Sequence, residues 1–365
     1  MNQRILYQVK KEICILFTSF TVWQRLRLAK FVLGVMLAEH CHQSKVARAL
    51  KGKVKVRSLM RQLQRCIADD KWSMNQFTRD WARWVLSRLP NQRIELMVDE
   101  TKIRDKFGIM MVSVAFEKRC VHLACRCYRA NSKKHYPPEG QVKMIVGLLT
   151  EIKAAVPDER EVLVLADRGI GTSPALCRAV EILGWHYLFR VVRTVKIKTE
   201  RGKLWPFAEI QKGGRWAASG IVFITQGKIS AHIRAIWDKD CAEPWILVTN
   251  APELTGREYA KRNWQEQGFR DLKSAGWNLA ACRLRSAERL ERYMAILMLA
   301  HGLALALGSW AAKKGRTSPL IMDKAKGKLR PALSLFQEGL RYFTNNEFGH
   351  REKLTLRYYS DPRIL

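Results

Sequence analysis

Residues 93–103 (RIELMVDETKI), 108–116 (GIMMVSVAF) and 121–128 (VHLACRCY) are three β-rich runs in succession. Residues 161–171 (EVLVLADRGIG) add a fourth, which ends in an aspartate and a glycine turn. Short polar turns join the first three, the pattern of an antiparallel meander. The run 162–166 is wholly apolar, as a strand covered on both faces must be. A helical stretch around residues 141–156 separates the meander from it. Ser173 and Pro174 then stand as N-cap and first-turn residues of another helix, which leads through Trp185 into a fifth strand at 187–192.

Three strands, helix, strand, helix, strand is the order of a ribonuclease H-like α/β core, occupying residues 91–192. Residues 1–90 have no proline before Pro90 and carry apolar residues at helical spacing, so they read as a helical region. Residues 193–250 alternate glycines with short apolar runs and read as a β-rich insertion. The helical period returns at 251–312, which completes the core with a polar helix and a long apolar one. Residues 313–365 form a C-terminal tail with a weak signal.

The chain of 365 residues holds 65 Lys and Arg against 33 Asp and Glu, a formal net charge of +32. With 47% hydrophobic residues this is a globular composition, neither disordered nor collagen-like. Such an excess of one sign repels itself unless a polyanion is the partner, which points to nucleic acid ahead of an anionic membrane. Residues 1–90 concentrate the excess, with 18 basic residues against 5 acidic. Within them, residues 44–66 (SKVARALKGKVKVRSLMRQLQRC) read as two helices around Gly52, with Lys53, Lys55, Arg57 and Arg61 on or near the second. That pattern suits a helix-turn-helix laying its second helix on DNA; a solvated basic helix pair reads the same way. The nine cysteines show no C-x2-C spacing, so neither a disulfide framework nor a zinc site is expected, and a reducing cytoplasm, with the protein associated with the nucleoid, is. No secretory signal is read at the N-terminus. Residues 293–310 are uncharged, at the lower edge of a membrane span, but His301, Gly302 and Gly308 favour a buried helix, and no membrane partner is expected.

The chemistry rests on carboxylates. Asp99 lies near the end of the first strand and Asp167 at the carboxyl end of the fourth. If those strands are neighbours, the two acids meet, and they resist joint ionisation unless a divalent cation lies between them. Either alone also reads as a turn cap. Residues 259–273 (YAKRNWQEQGFRDLK) supply a third acid. On a helix, Tyr259, Arg262, Glu266 and Lys273 fall within an arc of about 60°, with Arg270 beside them. The stripe combines one hard oxygen ligand with phosphate-binding cations; a surface network of Arg262–Glu266 and Glu266–Arg270 pairs is the plainer alternative.

The spacing Y-x2-R-x3-E-x6-K, filled by Tyr259, Arg262, Glu266 and Lys273, resembles the signature of DDE transposases of bacterial insertion sequences, in the insertion-sequence-four family. Met97-Val98-Asp99 and Leu165-Ala166-Asp167-Arg168-Gly169 resemble that family's two aspartate regions, and the similarity covers most of residues 20–310. The resemblance implies catalytic Asp99, Asp167 and Glu266 holding two Mg²⁺ ions, replaceable by Mn²⁺. It also implies cleavage at terminal inverted repeats and joining of the 3′-hydroxyl to target DNA, in several members through a DNA hairpin, by a homodimer on double-stranded DNA. Tyr259, Arg262, Lys273 and Arg270 are then expected on phosphates. Hairpin-forming members stack a flipped base on a Trp directly after the signature Arg. Here Asn263 stands there, Trp264 reads as a core residue, and Trp237 and Trp245 are the alternative stacking groups. Two other functions compete: a non-catalytic DNA-binding regulator, and a ribonuclease H-like nuclease without strand transfer.

Overall fold

The computed structural model describes residues 3–50, 52, 54–90, 92–131, 136–323, 327–345 and 356–363. Five helices come first: α1 (Gln3–Leu16), α2 (Val22–Ala38), α3 (Gln43–Ala49), α4 (Val56–Ala68) and α5 (Met74–Leu86). Thr21 and Gln24 close a capping box on α2, and Ser73 caps α5 through the Gln76 amide, satisfying donors that a helix start leaves orphaned. Strands β1 (Ile94–Ile103), β2 (Phe107–Phe116) and β3 (Arg119–Arg129) then pair as an antiparallel meander. Next come α6 (Gly140–Lys153), β4 (Val162–Ala166), the short α7 (Arg168–Gly171), α8 (Pro174–Ile182) and β5 (His186–Arg190). Ser173 caps α8 through the Leu176 amide, with Pro174 in the first turn.

Strand β4 runs parallel to both β1 and β5, a connection that requires the helical crossovers α6 and α7–α8. Residues 193–250 supply β6 (Ile197–Thr199), β7 (Gly202–Leu204), α9 (Pro206–Glu209), β8 (Arg215–Val222), β9 (Ile229–Ile236) and β10 (Trp245–Thr249). These strands do not form a sheet of their own. β10 pairs antiparallel with both β5 and β9, so one mixed ten-stranded sheet runs β3-β2-β1-β4-β5-β10-β9-β8-β6-β7. This mixed α/β fold is consistent with a ribonuclease H-like core.

After β10 the chain makes a 3₁₀ turn (Arg257–Arg262), α10 (Asn263–Leu272), a second 3₁₀ turn (Leu279–Cys282) and the long α11 (Ala287–Lys313). The helix α11 is apolar and long enough to cross a membrane, but its apolar span is wholly buried within the protein, packed against β3, α2, α4 and the last helix. The tail forms a two-stranded hairpin, β11 (Leu320–Asp323) and β12 (Lys328–Pro331), and α12 (Leu335–Thr344). α12 crosses α11 at glycines: a β-carbon on Gly339 would stand 1.8 Å from the Ala304 carbonyl oxygen, and one on Gly308 1.8 Å from that of Leu335.

Candidate active site

The parallel register of β1 and β4 pairs Val98 with Ala166, so the next residues, Asp99 within β1 and Asp167 just past the end of β4, stand at the same level on neighbouring strands. The sequence left that adjacency conditional; the pairing supplies it. Asp99 Oδ1 accepts from the Glu100 amide at 2.8 Å. Asp167 Oδ1 accepts from the amides of Gly169 and Ile170, both at 3.0 Å, and so caps α7. Each aspartate thus fixes itself with one oxygen and keeps the other for the site. For Asp167 the turn-cap reading is met by Oδ1, and Oδ2 stays turned to the other acids.

Glu266 arrives from α10, and one guanidinium ties the three acids together. Arg262 donates to Asp99 Oδ2 at 2.7 Å and to Glu266 Oε1 at 2.6 Å, and stands 4.0 Å from Asp167 Oδ2. The Asp99 side chain is 12% exposed, that of Asp167 34% and that of Glu266 49%. Burial pushes the Asp99 carboxyl up to about 6, with Asp167 adding to the rise and Arg262 holding it back. Burial works against the Arg262 charge as well, but Asp99, Tyr259, Glu266 and Asp167 outweigh it, so the guanidinium is held in its protonated form.

The other signature residues are placed unevenly. The expected single helix through residues 259–273 is broken. Tyr259 and Arg262 belong to the 3₁₀ turn, and Lys273 lies one residue past the end of α10. The tighter turn follows Gly256, whose φ of 90° is the left-handed region glycine enters freely, and α10 ends at Leu272, where Lys273 leaves helical geometry with ψ −127°. Tyr259 is 4% exposed and meets Trp245 edge-on at 5.1 Å; burial raises its hydroxyl to about 12, against the pull of Arg262 and Arg190. Lys273 is half-buried, its ammonium disfavoured by burial and favoured by Asp99. Arg270 is exposed, as are Lys55, Arg57 and Arg61 on or beside α4. Lys53 lies outside the described residues. Trp264 packs on the apolar cluster that includes Tyr259, and Trp237 stacks on Phe207 while donating to the Cys241 carbonyl.

Behind the site, α10 is anchored by buried polar groups. Gln265 donates to the Met111 carbonyl and to Ser113 Oγ, both at 3.2 Å. Asp271 meets His301, in the middle of α11, at 3.4 Å, and Arg119 at 3.6 Å. The histidine that interrupts the apolar helix therefore ties it to the helix bearing Glu266.

Hard carboxylate oxygens gathered around one positive group fit a divalent cation such as Mg²⁺ or Mn²⁺, and a buried acid with a raised pKa gains most from one. Among the described residues, however, the trio of possible ligands whose atoms all lie within 4.8 Å of one another is Glu161, His186 and Glu253. It sits at the opposite ends of β4 and β5 from Asp167. Sequence reasoning missed it, although Glu161 before one parallel strand and His186 opening the next are legible as neighbours. A second omission is Glu243, which pairs with Arg190 at 2.5 Å and with Arg168, the residue after Asp167, at 3.4 Å.

Residues 139–303 match the family model described as the transposase DDE domain, and this match supports a DDE transposase. The matched stretch contains Asp167, Tyr259, Arg262, Glu266 and Lys273 and begins after Asp99. No curated protein matches the chain by sequence. Among solved structures, the crystal structure of human ENDOV is similar at 12% identity, over 61% of this chain and 95% of that one, with a TM-score of 0.26.

Proposed function

We propose that this protein is a metal-dependent DNA transposase of the insertion-sequence-four family, with Asp99, Asp167 and Glu266 as its catalytic acids. The observation that carries the reading is the convergence of three carboxylates, from β1, the end of β4 and α10, on the single Arg262 guanidinium. The three acids would hold the divalent ions, two Mg²⁺ or Mn²⁺. Such ions, when bound, lower the pKa of an attacking water or 3′-hydroxyl and stabilise the leaving oxygen of an in-line phosphoryl displacement.

The chain's own groups do the rest. Asp99, buried on the sheet, is held through Oδ1 by the Glu100 amide, so Oδ2, which Arg262 contacts in the absence of metal, keeps one position. Asp167 is fixed the same way by its cap on α7. Glu266 is the more exposed acid and is positioned through α10, which Gln265 and Asp271 bolt to the sheet and to α11. Arg262 neutralises the acids in the absence of metal, and once released pairs bidentately with phosphate. Lys273 and Arg270 add point charge along the path of the strand, with Tyr259 as the packed floor beneath Arg262. The substrates are double-stranded terminal inverted repeats and target DNA, taken by a homodimer on DNA, with or without a hairpin step.

The test is cleavage of a labelled duplex carrying the inverted repeat that flanks the gene. The wild-type protein with Mg²⁺ is expected to nick the end and leave a 3′-hydroxyl. Asp167→Asn and Glu266→Gln are expected to bind the duplex and cut nothing. Binding without cutting by the wild type would favour the regulator; nicking with no joining to a target plasmid would favour the simple nuclease.

A further inference from the structure

A cleft of about 590 Å³ opens between the N-terminal helices and the segment that leads from α10 into α11. One wall is α3–α4, through His42, Met60 and Gln64; the other carries Arg283, Arg285 and Arg289. The three arginines are exposed, and among the described residues no Asp or Glu lines the cleft. On α4, Met60, Gln64 and Ile67 line the cleft, and the exposed Arg57 and Arg61 lie on the same helix beside that face. The His42 imidazolium is disfavoured first by burial and then by Arg283, Lys45 and Arg48, an independent sign that positive potential converges there.

The walls are clamped together. The Cys41 amide donates to the Trp277 carbonyl at 2.7 Å, Tyr293 Oη donates to the Cys41 carbonyl at 2.5 Å, and Arg292 donates to the Ile67 carbonyl at 3.2 Å. Arg283 itself holds a left-handed backbone, φ 54° and ψ 22°, which β-carbon sterics disfavour. The segment that carries the arginines is also tied to the turn after the strand that bears Asp99. Lys106, in the turn after β1, donates to the Leu284 carbonyl at 3.2 Å, and Ile103 at the end of β1 is four residues from Asp99, about 13 Å along a strand.

We infer that this cleft is a phosphate-binding channel for duplex DNA, in which Arg283, Arg285 and Arg289 hold the backbone between α4 and the three acids. A wall of exposed guanidinium groups, with no carboxylate among the described residues that line the cleft, fits a polyanion with regularly spaced charges. The choice of DNA as that polyanion rests on the function proposed above.

The experiment is fluorescence polarisation of the full-length protein with a labelled 30-base-pair duplex of arbitrary sequence, from 50 to 300 mM KCl. Neutralising all three arginines (Arg283→Ala with Arg285→Ala and Arg289→Ala) is expected to weaken binding at least tenfold at 100 mM. It should also flatten the slope of log affinity against log salt by about 2 to 3, at roughly 0.9 per lost phosphate contact. The corresponding Lys triple should keep the slope, because a phosphate site needs charge, whereas loss of binding in it as complete as in the Ala triple would overturn the proposal. Three exposed lysines away from the cleft, Lys10, Lys11 and Lys143, serve as a control for net charge; an equal effect from neutralising them overturns it too. So does wild-type affinity and slope in the Ala triple. If that triple binds normally while the wild type cuts DNA, the channel fails alone; if the wild type binds no duplex, the proposed function fails with it.

Discussion

Arg262, in the turn that leads into α10, donates to Asp99 of the first strand at 2.7 Å, in a pair held mostly out of water. The pair joins two stretches of chain 163 residues apart, and Glu266 and Asp167 gather around it. A buried carboxylate beside two others is unfavourable without a compensating charge. The guanidinium supplies that charge in the metal-free protein, and its removal is the first test of the arrangement.

Arg262→Ala is expected to lower metal-free stability by about 3 kcal/mol at pH 8, the usual cost of leaving a buried charge unpaired, and to move the Asp99 titration above about 6. Urea denaturation in chelator measures the first and carboxyl chemical shifts the second. A loss under about 0.5 kcal/mol, typical of an exposed pair, would show that Asp99 does not depend on Arg262.

Asp167 has two jobs that two substitutions separate. Asp167→Ala removes the cap on α7 and should cost about 1 kcal/mol. Asp167→Asn keeps an oxygen for the Gly169 and Ile170 amides and should leave stability nearly unchanged. Both should abolish metal-dependent DNA cutting. Equal stability of the two variants would mean that the cap contributes nothing.

His122 is fully buried against Ser113 and is held neutral, first by burial and then by His301. The unfolded chain gains a proton below the ordinary value of 6.5 that the folded chain refuses, so stability should fall as pH drops through that value. The slope contributed by one such group approaches about 1.4 kcal/mol per pH unit. His122→Gln should remove this component, read as the difference between the two proteins' urea midpoints from pH 7.5 to 5. Parallel curves would mean that His122 titrates alike in both states.

The crossing of α11 and α12 depends on backbone contact. Gly339→Ala places a methyl group 1.8 Å from the Ala304 carbonyl oxygen, so the helices must part, at a cost of about 1 to 3 kcal/mol. Thermal denaturation checks it; an unchanged midpoint would mean that α12 repacks freely.

Local pattern made several of these features readable and topology hid the others. The meander, the apolar β4 and the Ser173–Pro174 start each carry their signal within a few residues, so their elements could be placed from sequence. The meeting of Asp99 and Asp167 needed only the pairing of β1 with β4. That β10 joins β5 to β9 and merges residues 197–236 into the same sheet is a long-range pairing with no local mark. The break between the 3₁₀ turn and α10 was equally silent, because a helical wheel assumes one pitch throughout. The resemblance implies Arg262 as a phosphate ligand; its contact with Asp99 depends on where the turn crosses the sheet. In the tail, α12 buries Leu335, Phe336, Leu340, Tyr342 and Phe343, but the close approach at Gly308 and Gly339 that seats it on α11 has no local mark.

Calorimetric titration with Mn²⁺ compares the two acid-lined places in the molecule directly. If Asp99, Asp167 and Glu266 form the cation site, then Asp99→Asn, Asp167→Asn and Glu266→Gln should each weaken Mn²⁺ binding at least tenfold, while Glu161→Gln combined with Glu253→Gln leaves it unchanged. Loss of binding in the Glu161 and Glu253 double variant, with full affinity in the other three, would move the metal to the far end of the sheet and remove the basis of the proposed chemistry.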